Sequence, residues 1–251
     1  TQTHALLVDT GPAFGSGLDM GEAAVVPALR ALGLAGLDRV LVSHGDADHA
    51  GGAGSVLRAF PAPLTSSDRA RFPQAQACIA GERWRWDGVD FELLHPPEHF
   101  PYLRNESSCV LRVQAGEQVA LLAGDIGALI EQRLLREQPE RLRADIVLVP
   151  HHGSASSSSE AFVRAVSAEH ALVAAGHANR FGHPRAEVVE RWQAAGARVW
   201  NTAEHGALQL RFGAQDVEPV ALRSARPRLW RDRQELPDQG NTDQVHPGLE
   251  Q

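Results

Sequence analysis

Apolar positions fall along this chain in short runs punctuated by glycine, proline and small polar residues. Strand-like runs occur at residues 6–8, 39–43, 91–94, 109–113, 119–123, 145–149, 171–174, 197–200 and 207–212, many of them β-branched or leucine-rich. Helical patterns lie between them. Pro27 suits the first position of a helix ended by Gly33, and Pro184 that of a helix ended by Gly196, since proline favours the first turn and glycine the position past the end. Residues 52–60, 127–137 and 158–166 are further helical candidates. Strands that come in adjacent pairs as well as alternating with helices predict an α+β architecture, an αββα sandwich of two packed mixed sheets with helices on the outer faces. From Ser224 onward, Pro227, Pro237 and Pro247 stand among polar residues without a sustained period. The expected division is one domain over 1–223 and a disordered polar tail over 224–251. No internal repeat is seen, and 156–159 is a run of serines.

Composition narrows the class. A chain of 251 residues with 43% hydrophobic content can bury a sizeable core unaided. No apolar run reaches the roughly eighteen residues of a membrane span, and no charged-then-apolar leader precedes the first strand, so the chain itself is expected to be soluble. The net charge of −7 argues against broad attraction to polyanions, although two divalent cations would reverse the sign locally. Cys78 and Cys109 are too far apart in sequence for a compact thiolate motif and do not make a disulfide framework.

The chemistry concentrates at strand ends. Ser43-His44-Gly45-Asp46-Ala47-Asp48-His49 places four possible metal ligands within six positions, directly after an apolar run. Four ligands in one turn can hardly serve one ion, so His44 and Asp46 are expected on one and Asp48 and His49 on a neighbour. Their carboxylates would repel one another without cations, and metals about 3.5–4 Å apart would make the cluster favourable. Asp125, after the run 119–123, could bridge both ions or cap the following helix. His151 and His152 follow the run 145–149; adjacent residues can face different ways, with His152 the preferred ligand and His151 toward substrate. His183 stands before Pro184, beside the start of a helix and so near a natural anion site.

Weaker candidates surround these. Asp9 either hydrogen-bonds a ligand histidine or begins a turn. Asn105 could ligate a metal through its amide oxygen, bind a phosphate oxygen, or simply shape a turn. Arg104 and Arg180 could steer an anion, though exposed arginines usually do nothing specific.

These residues resemble the metallo-β-lactamase superfamily, whose His-x-His-x-Asp-His signature appears here as His44-Gly45-Asp46-Ala47-Asp48-His49, with aspartate in place of the second histidine. Together with Leu6-Leu7-Val8-Asp9-Thr10-Gly11, Asn105-Glu106-Ser107-Ser108-Cys109, Gly124-Asp125, His151-His152-Gly153-Ser154 and Gly182-His183-Pro184, the set is similar to the hydrolase domain of ComEC-type DNA-uptake proteins, from about His4 to Phe212. The resemblance implies a domain of a polytopic inner-membrane channel, on its external side, that degrades the strand left outside while the other is imported. DNA, the parent channel and other uptake proteins are then the expected partners, and the fragment itself is expected to be monomeric. The family's opening strand is not found before Leu6, which leaves the fold expected to lack it.

The expected reaction is phosphodiester hydrolysis. His44, Asp46, Asp48, His49, Asp125 and His152 would hold two divalent ions, with the aspartates favouring manganese beside zinc. Asp48, His151 and His183 would serve catalysis, the histidines by stabilising the transition state or protonating the leaving oxygen. Asn105, Ser108 and Ser154 would contact substrate. A phosphocholine-esterase-like small-molecule phosphodiesterase and a DNA-binding module that does not cut are the alternatives; lactam or thioester hydrolysis is disfavoured by Asp46.

Overall fold

A computed structural model of the chain describes residues 1–212 and 217–225. Four parallel strands form one sheet in the order β1 (Leu6–Val8), β2 (Arg39–Val42), β3 (Leu64–Ser66), β4 (Gln76–Ala77). Their crossovers carry α1 (Val26–Ala31), the single turn α2 (Ala47–Ala50) and α3 (Ala53–Ala59). The second sheet has seven strands. β5 (Arg83–Trp86), β6 (Val89–His95), β7 (Val110–Ala115) and β8 (Gln118–Leu122) run as an antiparallel meander. β9 (Ile146–Leu148), β10 (His170–Val173) and β11 (Arg198–Asn201) then add in parallel. The parallel additions need crossovers, supplied by α4 (Ala128–Glu137), α5 (Glu160–Val166) and α6 (Ala186–Ala194), whereas the meander needs only tight turns. After α7 (Thr202–His205), the short pair β12 (Leu208–Gln209) and β13 (Val220–Ala221) and the turn α8 (Leu222–Ala225) complete the described fold.

Strand alternation explains the layering. In β2, Val40 and Val42 face Val26, Leu29 and Val56 from α1 and α3, while Leu41 between them faces Phe91, Leu93 and Leu111 of the other sheet. Successive side chains of a strand point to opposite faces, so a strand buried on both reads as a continuous apolar run. On its far face the second sheet meets Ile130, Leu134, Phe162 and Trp192 through Leu121 and Val147. The order is therefore helix, sheet, sheet, helix, as expected. Cys78 and Cys109, both buried, are joined in a disulfide within the inter-sheet core, with Cα atoms 6.1 Å apart.

Several boundaries depart from expectation. Pro27 is not the first helical residue, because the chain already coils through a wide turn over Gly21–Val25. α6 begins two residues after Pro184, at Ala186. The strands β3, β4, β5 and β13 escape the apolar pattern because they are short or polar; in β5 the arginines of Arg-Trp-Arg-Trp point outward and break the run. α8 holds Ser224, and residues 213–216 and 226–251, most of the expected tail, lie outside the described residues.

The serine run is structural. Glu131 of α4 is fully buried, and its carboxylate accepts from the amides of Ser158 at 2.5 Å and Ser159 at 2.8 Å. Arg191 of α6 donates to the carbonyl of Ser158, and the Trp192 indole to its hydroxyl at 3.2 Å. Three helices meet on one buried polar knot, whose members are costly to leave unpaired. Glu131→Ala strands two buried amides and is expected to cost about 2–4 kcal/mol of stability, while Glu131→Gln, which keeps an acceptor, costs less. Urea unfolding midpoints of the two variants check this ordering.

Candidate metal centre

β1, β2, β8 and β9 end at one edge of the sandwich, and each end carries a polar residue into a shared cleft of about 200 Å³ lined by Asp9, Ser43, Asp48, His49, Asp125 and His152 among others. Backbone conformation aims these residues. Asp9, Gly124, His151 and His152 all have left-handed φ, at 59°, 58°, 50° and 53°. Glycine adopts this region freely, but each other residue costs about 1–3 kcal/mol there and persists only where its surroundings fix it. At Gly124 glycine is also required by space: a Cβ would stand 2.7 Å from that of Ser108.

Asp48, His49, Asp125 and His152 come together, one ligand atom from each lying within 4.8 Å of all the others. His49 Nε2 is 3.2 Å from Asp125 Oδ2 and 3.1 Å from His152 Nε2. His152 Nε2 is 3.4 Å from Asp48 Oδ2 and 3.5 Å from Asp125 Oδ2. Both imidazoles are oriented from behind. His49 Nδ1 donates to Asp9 at 2.7 Å, and His152 Nδ1 to the carbonyl of Ala174 at 2.8 Å, which leaves each Nε2 for the cluster, the arrangement metal-ligating histidines favour. The Asp9 carboxylate also receives the amide and hydroxyl of Ser43.

The protonation of the four follows from their closeness. Burial draws His49 down, but Asp125 and Asp9 on its two nitrogens prevail and hold it up at about 11. Burial opposes the charged form of His152 too, yet Asp125 and Asp48 raise it to about 10. Burial pushes Asp125 up, and hydrogen bonds from His152 and His49 outweigh it, leaving the carboxyl well below the usual range. The hydrogen bond from His152 lowers Asp48. Protons on the imidazoles here stand where a cation's charge would.

His44 is the second indication of a cation. It is fully buried with its ring 4.3 Å from that of His49, and its Nε2 has no hydrogen-bond partner. Burial and the neighbouring His49 depress its basicity, so the ring is neutral with an acceptor nitrogen to offer. Two carboxylates, two oriented imidazoles and an orphaned third form a donor set that fits divalent metal.

The remaining expected residues are distributed around this group. Asp46 does not join the four: it precedes α2 with extended backbone, and Arg104 holds its carboxylate at 3.0 and 3.2 Å. Asn105 donates its amide to His151 Nε2 at 3.1 Å, and His151 stands 4.0 Å from Asp125. The rings of His151 and His183 are 6.0 Å apart. Burial, then the charges of His151, His152 and Arg185, lower His183. Ser154 lies at the rim, its hydroxyl 3.1 Å from that of Ser156. Ser108 corrects the expectation of a substrate contact. It is fully buried, and its hydroxyl accepts from the amide of Asp125 at 3.0 Å and lies 3.3 Å from His44 Nδ1, so it braces the site from inside. Asp125 does not cap α4, whose N-cap is Gly127.

Three side chains around Gly45 were not anticipated. Tyr102 accepts from the amide of Gly45 at 2.9 Å, and Arg71 donates to the carbonyl of Gly45. A Cβ on that glycine would fall on the carboxylate of Asp68. Asp68, Arg71 and Tyr102 thus clamp the loop between His44 and Asp46. Tyr102 is the chain's only tyrosine, the one signal in the sequence that could have drawn notice to it.

Comparison with known proteins bears on the fold and the family. A family model described as the metallo-beta-lactamase superfamily matches residues 1–177. Competence protein ComA of Neisseria gonorrhoeae is 37% identical over 89% of this chain, and Recombination protein 2 of Haemophilus influenzae 34% identical over 85%. The match covers 31% and 27% of those relatives, so the chain spans about a third of their length or less. Among solved structures, the metallo-beta-lactamase fold protein YhfI of Bacillus subtilis superposes with a TM-score of 0.51 at 15% identity, covering 80% of this chain and 85% of its own. The chain belongs to the metallo-beta-lactamase superfamily.

Proposed function

We propose that this chain is a divalent-metal-dependent phosphodiester hydrolase, a deoxyribonuclease that degrades the non-transported strand during DNA uptake as one domain of a larger membrane channel. The observation that carries the reading is the convergence of Asp48, His49, Asp125 and His152, with the unpartnered His44 behind them. Relatives named for competence and recombination support the DNA context. No helix among the described residues is long and apolar enough to cross a membrane, so attachment would come from the rest of the protein.

Bound at this cluster, divalent ions would supply Lewis acidity, polarising a phosphoryl oxygen and making water a usable nucleophile near neutral pH. The chain's own residues set the geometry. Asp9 and the Ala174 carbonyl fix the tautomers of His49 and His152 so that both present Nε2. Asp125, held by Ser108 from below, lies within reach of both His49 and His152 and would help them to hold the metal. His44 and Asp46 would contribute to the second ion, Asp46 after leaving Arg104. That arginine, 74% exposed, is then free to meet a phosphate. Asn105 donates to His151 Nε2, and Nδ1 of the same ring faces Ser156. His183, lowered as it is, is a neutral imidazole at neutral pH, suited to accept a hydrogen bond or shuttle a proton at the leaving oxygen.

The test is direct. Incubated with linear single-stranded, linear double-stranded and circular DNA, the purified protein should cleave with manganese or zinc and stop with chelator; DNA left intact under every metal defeats the nuclease reading. Turnover of phosphocholine esters without cleavage of DNA would select the small-molecule alternative. Asp48→Ala and His49→Ala should each lose bound metal, measured by atomic emission, and reduce cleavage to background while circular dichroism is unchanged. Asp9→Asn, which weakens the hydrogen bonds that orient His49 and hold Ser43, should cost about 10–100-fold in metal affinity.

A further inference from the structure

A row of rings leads outward from the cluster. His151 stands 4.0 Å from Asp125, the ring of His183 is 6.0 Å from that of His151, and Phe181 lies nearly parallel to His183 at 5.9 Å and 13°. Phe181 is 55% exposed, although a phenylalanine gains by burial. Its loop is built to hold it there. The Asn179 side chain accepts from the amide of His183 at 3.0 Å and donates to its carbonyl at 2.7 Å and to that of Gly176 at 3.1 Å, closing the loop on itself. Ala178 and Gly182 take left-handed φ of 49° and 64° to make the bend. Over the ring lies the guanidinium of Arg180, 4.8 Å from its centroid.

We propose that Phe181 is a stacking platform for an unpaired nucleobase next to the scissile phosphate, so that the substrate is single-stranded or frayed DNA. This rests on the phosphodiesterase reading above. Arg180 covers the ring in this structure through an exposed cation–π contact. A base stacked on an aromatic side chain is held more strongly than such an exposed contact, so the base takes that place. The displaced guanidinium then meets the strand's phosphate, with Arg185 near Gly182 on the same loop. A paired base is stacked within its duplex and cannot lie on the ring without being unpaired, which gives the preference for single strands. Beyond His183 opens a concavity of about 630 Å³ lined by Asn179, Glu190, Gln193, Asn201 and Glu204 among others, with no lysine or arginine among its described lining residues. Its carboxylates repel phosphate, which keeps the backbone on the arginine side.

The experiment compares, with manganese present, the affinity for a short oligothymidylate carrying uncleavable phosphorothioate linkages and for an abasic strand of the same length and linkages. The wild-type protein should favour the strand with bases about tenfold. Phe181→Ala and Phe181→Leu should bring the ratio close to one, and Phe181→Trp should restore it. No base preference in the wild type, or a full ratio kept by Phe181→Leu, overturns the platform. Cleavage assays separate the two ideas. A protein that cuts no phosphodiester yet shows the ratio loses the nuclease reading and keeps the platform, and one that cuts without the ratio does the reverse.

Discussion

Two carboxylates and two imidazoles share one small volume at the edge of the sandwich, and the rest of the site is arranged around the charge this creates. Asp125 is nearly fully buried, yet it stays ionised because His49 and His152 each bring a hydrogen bond and a proton. Remove the protons without supplying a cation, and buried like charges face each other in a medium that screens them poorly. A divalent metal would satisfy the same four groups with more charge. An exchange of protons for metal would be the physical content of the signature read along 44–49 together with Asp125 and His152.

The fold supplies the frame in which such a cluster is tolerable. Parallel strands present their ends together, and the continuous apolar burial of Val40, Leu41 and Val42 on both faces of β2 anchors the ligand loop that follows. Ser43 is the hinge of that anchorage. It gives its amide and hydroxyl to Asp9, which in turn holds His49, so the ends of β1 and β2 and the turn α2 are tied by one carboxylate. Left-handed backbone at Asp9, His151 and His152 stores strain that only a surrounding this well determined can sustain.

Much of this was legible in residue order. The layering followed from apolar period, and the four side chains that cluster, Asp48, His49, Asp125 and His152, each stand after a strand. What escaped had physical reasons. The carbonyl of Ala174 orients His152, and a backbone carbonyl leaves no trace in a side-chain sequence. Ser108 read as a rim hydroxyl because its position beside a turn is common to both roles, and only packing against Gly124 shows that it is interior. The strands β3 and β4 are polar and short, paired because the sheet offers them hydrogen bonds rather than because their own pattern demands it. The pairing of Arg104 with Asp46 joins residues far apart in the chain, which no local pattern encodes.

The central claim is that this cluster is a metal site, and anomalous diffraction from crystals grown with manganese addresses it most directly. The account predicts a peak among His49 Nε2, His152 Nε2 and the carboxylates of Asp48 and Asp125, and a second toward His44 if Asp46 leaves Arg104. Crystals soaked to saturation that show no anomalous density between those four side chains would contradict it.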